Sequence, residues 1–108
     1  MQSRSTRQFW HLFSGLPPDA QRDAKRAYRL FQNSPAHPGL QFKKLEGEDE
    51  IYSVRIGLGY RALGVMKKDR IVWFWIGSHS EYDRLVVVVT KEKEKPAVLT
   101  LRYGEPAH

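Results

Sequence analysis

The chain has no cysteine among its 108 residues. Disulfide staples and thiolate metal sites are therefore excluded, and the composition fits a reducing compartment. No apolar run approaches the ~18 residues of a membrane span, and the polar, basic start from Met1 to Arg7 lacks the h-region of a secretory signal. These absences point to a soluble, cytoplasmic protein with no membrane partner. Internal repeats are missing as well. The four histidines, His11, His37, His79 and His108, fall without ligand spacing, so neither a metal nor another cofactor is expected. Ser78 lies next to His79, but with no nucleophile elbow around it the pair does not make a serine hydrolase.

Positive charge and aromatic side chains are what the chain has instead. Eighteen Lys and Arg against 12 Asp and Glu give a net charge of +6. On so small a domain this steers phosphate backbones, acidic proteins or anionic membrane surfaces toward the protein, and charge alone does not choose among them. Apolar residues make up 41% of the chain, with three Trp, five Tyr and five Phe, enough to fill one core. A chain of this length has no room for a second.

The spacing of the apolar residues changes part-way along. Phe9, Trp10, Leu12 and Phe13 predict a two-turn helix from about Thr6 to Ser14. Pro18 suits the first turn of a second helix, in which Leu16, Ala20, Ala24, Ala27, Tyr28 and Phe31 recur at steps of three and four. The segment Asn33 to Gly39, with Pro35 and Pro38, ends it. From Leu40 the period is two. Short strands are expected at Leu40–Leu45, Ile51–Ile56, Tyr60–Met66 and Arg70–Ile76, the last apolar on both faces and read as the central strand. The polar stretch Gly77 to Asp83 reads as a loop, and the β-branched run Val86 to Val89 as a terminal strand. The order implies an α+β fold of two layers, two N-terminal helices packed on an antiparallel sheet. A domain over residues 1–90 is followed by an extension over 91–108, a Lys/Glu linker with Val98 to Tyr103 as a candidate extra strand.

Alternation in Ile51–Ile56 turns Arg55 away from the core side, and antiparallel pairing through Gly57 to Gly59 can bring Arg61 beside it. Paired guanidiniums suit phosphate, because each rigid fork donates to two oxygens and stays charged. Lys43 and Lys44 extend the strip. The plainer reading of these four is a set of solvated surface cations. His79 is flanked by Ser78, Glu81, Tyr82 and Asp83, and a histidine titrates near neutral pH, as proton transfer requires. Its plainer reading is a loop histidine that caps a turn.

Between roughly Phe9 and Leu85 the sequence resembles the RelE/ParE superfamily of small toxins from type II toxin–antitoxin modules. The similarity rests on the Leu40 to Leu45 run after a Pro-rich turn, the strand Tyr52-Ser53-Val54-Arg55-Ile56, the strand Tyr60-Arg61-Ala62-Leu63, and the closing Trp75-Ile76-Gly77-Ser78-His79-Ser80-Glu81-Tyr82-Asp83. It implies a curved antiparallel sheet under two helices and, for a RelE-like member, ribosome-dependent mRNA cleavage without a metal. In such a reaction the RNA 2′-hydroxyl attacks its own neighbouring phosphate. By the resemblance, Arg55 and Arg61 hold the scissile phosphate, His79 protonates the leaving 5′-oxygen and Tyr82 positions the nucleotide; Lys43 and Lys44 contact RNA. Ser80 departs from relatives that carry a further basic residue there. The implied partners are a cognate antitoxin and mRNA on the ribosome. ParE-like members instead act on DNA gyrase by protein contact, and a degenerate member would only bind nucleic acid or antitoxin.

Overall fold

The computed structural model describes residues 1–47 and 49–91, with side chains through Leu85. Its elements are β1 (Gln2–Ser5), α1 (Arg7–Ser14), α2 (Pro18–Asn33), a 3₁₀ turn (Pro38–Leu40), β2 (Lys43–Lys44), β3 (Ile51–Ile56), β4 (Tyr60–Lys67), β5 (Arg70–Ser78) and α3 (His79–Lys91). The strands form one sheet in the order β1-β5-β4-β3-β2, antiparallel except for β1, which runs parallel to β5.

Each N-terminal helix begins where its capping chemistry dictates. The Thr6 hydroxyl accepts from the Phe9 amide at 3.1 Å and starts α1. Pro18 opens α2, where its missing N–H would have had no helical partner. Both helices cover one face of the sheet. Ala24, Phe31, Leu40, Val54, Ile56, Ala62, Ile71, Trp73 and Ile76 form the core there, with Phe9, Leu12 and Phe13 packed against it. Gly64 is required on this face, because a Cβ would stand 2.8 Å from the side chains of Ile71 and Trp73. The expected α+β fold, with α1 and α2 packed on the sheet, is the one observed; the sheet is mixed and not wholly antiparallel, since β1 precedes both helices and runs parallel to β5, and α3 covers its second face.

Expectations in three places are corrected. The run Val86 to Val89 continues α3 and is not a strand, and Gly77 to Asp83 is not a loop: β5 extends to Ser78 and the helix begins at His79. The cause is a capping box. The Ser78 hydroxyl accepts from the Glu81 amide at 3.2 Å while Glu81 Oε1 accepts from the Ser78 amide at 3.0 Å. Tyr82 and Leu85, one turn apart, then dock α3 on the second face with Leu45, Ile51, Leu63, Val65, Phe74, Val72 and Trp75. Secondly, β5 is interior but β4 is the middle strand of the five, and the outer edge of β5 is taken by β1 and not by a strand from the Val run. The four polar residues of β1 carry no apolar alternation; backbone pairing and a 2.9 Å bond from Trp73 Nε1 to Ser3 Oγ hold them. Thirdly, the strand expected over Leu40–Leu45 shrinks to Lys43–Lys44, because Leu40 ends a 3₁₀ turn and Gln41 takes a left-handed conformation with φ of 48°. The candidate strand Val98 to Tyr103 lies outside the described residues.

A bulge lets β5 serve both faces. Leu63 pairs with Trp75 and Gly64 with Trp73, so Phe74 is the extra residue. Phe74 and Trp75 consequently both reach the α3 face, while Trp73 and Ile76 reach the α1/α2 face.

Candidate functional site

Residues on one strand alternate between faces, and the alternation of β3 and β4 separates stability from chemistry. Val54, Ile56 and Ala62 enter the helix-side core. The intervening Ser53, Arg55 and Arg61 belong to the α3 face, with Arg55 directly opposite Arg61 in the antiparallel register. Two like charges facing each other across a strand pair repel, by roughly 0.2–1 kcal/mol. An arrangement that opposes folding in this way favours an anion held between the two.

The Arg61 guanidinium has specific neighbours. Its Cζ lies 5.1 Å from the centroid of the Tyr82 ring, a cation–π contact. Nη2 donates to Gln41 Oε1 at 2.8 Å. Nε and Nη1 are shielded from solvent and have no hydrogen-bond partner among the described residues. Arg55 is half-buried, and its Nε donates to the Gly57 carbonyl at 3.0 Å. Tyr82 is only 7% exposed. It is buried beneath Arg61 instead of standing free for a nucleotide base.

His79 joins the group from the first residue of α3. Its amide donates to the Gly59 carbonyl at 2.8 Å, which ties the helix start to the β3–β4 turn. The imidazole centroid is 6.1 Å from that of Tyr82. Nε2 stands 3.7 Å from Asp83 Oδ2 one helical turn on, and the His79 side chain is 55% exposed. The exposed imidazole thus lies near the same tyrosine ring that packs against Arg61.

Lys43 shares this face, since it pairs with Ser53, and it is exposed. Lys44 pairs with Tyr52 on the opposite face, and its Nζ donates to the Leu45 and Gly47 carbonyls at 3.4 and 3.2 Å. The structure thus brings together Arg55, Arg61, Tyr82, His79 and Lys43 and sets Lys44 apart. Sequence reasoning missed Gln41 and named Asp83 only as one of the groups flanking His79. A histidine followed four residues later by a carboxylate was a readable signal once the segment is helical; nothing in the sequence marks Gln41. Among the described residues no group of three or more His, Asp or Glu could hold a metal ion, and no helix is long and apolar enough to cross a membrane.

The ParE-like toxin domain profile matches residues 18–84, more than half of the chain, and spans every one of these groups. The chain belongs to the ParE-like toxin family. It is a toxin of the RelE/ParE superfamily of toxin–antitoxin modules. Solved structures of similar fold include the RelB–RelE antitoxin–toxin complex of Methanococcus jannaschii, at 23% identity and a TM-score of 0.61 over 75% of this chain and 96% of that one. The isolated RelE toxin of E. coli is 15% identical with a TM-score of 0.56, covering 82% and 97%. The YoeB/ParE toxin of Agrobacterium tumefaciens is 15% identical with a TM-score of 0.58, covering 73% and 99%. At these identities the likeness concerns the fold. No curated protein matches the sequence.

Proposed function

We propose that this ParE-like family member is an mRNA endoribonuclease that acts on the ribosome in the cytoplasm. The observation that carries the reading is the cross-strand Arg55–Arg61 pair on the face that also holds Tyr82 and His79. A phosphodiester at the arginines relieves their repulsion, and charge that builds on the phosphate during attack is offset where the guanidiniums already stand. The 2′-oxygen forms a bond to phosphorus and releases its proton to water. The bond from phosphorus to the 5′-oxygen breaks, and His79 donates a proton to that oxygen. The products are a 2′,3′-cyclic phosphate and a 5′-hydroxyl, with no oxidant, reductant or metal consumed. Tyr82 supports Arg61 from below, and Lys43 extends the cationic face along the RNA.

A cognate antitoxin is part of this reading. Trp10, 54% exposed, and Tyr28, 42% exposed, border a groove of about 300 Å³ between α1 and α2, with an apolar floor and with Lys25 and Arg29 in its wall. An acidic amphipathic helix is the complementary ligand.

Induced expression with growth followed and mRNA 5′ ends mapped in the same cultures tests the proposal. Arrest with new 5′ ends, both absent for the Arg61→Ala, His79→Ala double variant, is expected. Arrest without new ends overturns it in favour of the second reading, contact with DNA gyrase, since one fold can carry either function. Absence of arrest overturns both and leaves a binding module.

A further inference from the structure

The geometry points to Gln41 as a positioning residue that aims the Arg61 guanidinium at the substrate, an inference that rests on the endoribonuclease reading above. Gln41 is one of two non-glycine residues with positive φ among the described residues, at 48°. Glycine or asparagine relaxes at such a position, and a residue outside its preferred conformation is retained where the surroundings use it. The surroundings here are rigid. Leu40 is buried at 1% exposure, the Gln41 amide donates to the Pro38 carbonyl at 3.2 Å, and His37 Nδ1 accepts from the Gly39 amide at 3.0 Å. This anchored turn delivers one long side chain with a carbonyl acceptor to Arg61 Nη2 at 2.8 Å. A glycine there relaxes the backbone and loses the acceptor.

The three nitrogens of Arg61 are not equivalent. Nε and Nη1 are closed off from solvent beside the Tyr82 ring, so an incoming phosphate oxygen has Nη2 to meet. Nη2 carries two hydrogens. Gln41 takes one, which fixes the plane of the fork and the direction of the other. Tyr82 sets the guanidinium from its face and Gln41 from its edge. A neutral amide suits the task, because a carboxylate at the same place would cancel the charge that a phosphate needs.

The test uses the full chain and the variants Gln41→Ala, Gln41→Glu and Arg61→Lys. Solvent exchange of the Arg61 Nε–H is read by NMR, its signal assigned by its loss in Arg61→Lys, and steady-state cleavage of ribosome-bound mRNA is measured alongside. For Gln41→Ala we expect exchange to accelerate and kcat to fall about 10-fold or more with KM held within about twofold, since the charge stays while its aim is lost. Gln41→Glu should keep exchange slow and still lose cleavage. That split separates aiming from mere structural support. Unchanged exchange in Gln41→Ala, or accelerated exchange with unchanged kcat, overturns the positioning role and leaves the endoribonuclease reading standing. A wild-type protein that cleaves no mRNA, or an Arg61→Lys variant as active as wild type, overturns the reading beneath it and the positioning role together.

Discussion

The two faces of the sheet are made from the same strands and follow different rules. Beneath α1 and α2 the positions of β3 and β4 are apolar or glycine, and Phe31, Phe42, Tyr52 and Trp73 interlock with centroid spacings of 4.9 to 6.5 Å. Beneath α3 the apolar residues Ile51, Leu63 and Val65 give way, along the same two strands β3 and β4, to Ser53, Arg55 and Arg61. One face is optimised for burial. The other accepts an opposed pair of cations and a fully buried Ser53 hydroxyl without a partner among the described residues. A sheet can therefore carry a binding surface at small cost if every second side chain already provides the core.

Mutations can break that division or sharpen it. Phe31→Ala, at the centre of the helix face, should destabilise by about 3–5 kcal/mol in denaturant unfolding. A loss below 1 kcal/mol would mean that this face does not dominate stability. On the other face His79→Ala should slow mRNA cleavage about 100-fold while thermal unfolding stays near wild type, because the side chain is exposed. Equal cleavage would reduce His79 to the first residue of a helix. Ser78→Ala removes half of the capping box and should cost about 1 kcal/mol, read as a lower denaturant midpoint and faster amide exchange in the first turn of α3. The smallest effect belongs to Ser53→Ala. Deleting a buried hydroxyl that bonds to nothing described should raise stability by up to about 1 kcal/mol, and a clear loss would reveal a partner for it.

Much of the helix face is legible in the sequence. The steps of three and four through Ala20, Ala24, Ala27 and Phe31 place α2, and Tyr52, Val54 and Ile56 place β3, because apolar residues that face one core recur at the period of their element. The α3 face leaves a mixed trace. β5 is apolar on both sides and is bulged at Phe74, so its period fails where it passes into Gly77 and Ser78. The Val run has strand propensity, yet it follows a Ser-x-x-Glu box and a Tyr82–Leu85 stripe that dock a helix, and tertiary packing decides the outcome. β1 is illegible for another reason: a polar edge strand is specified by its neighbour's open edge, which no local pattern records. Arg55 and Arg61 could be paired from turn spacing alone. The burial of Tyr82 under Arg61 depends on α3, so reading the segment as a loop makes the ring look free.

The division between faces meets its most direct test in a paired charge deletion. Arg55→Ala, Arg61→Ala removes two cations from the α3 face, and Lys25→Ala, Arg29→Ala removes two from the wall of the helix-side groove. Each is induced without antitoxin while mRNA 5′ ends are mapped. The account predicts that the first pair abolishes new ends and growth arrest and that the second leaves both intact. Full cleavage by the first pair, or its loss in the second alone, would contradict the assignment of the active face.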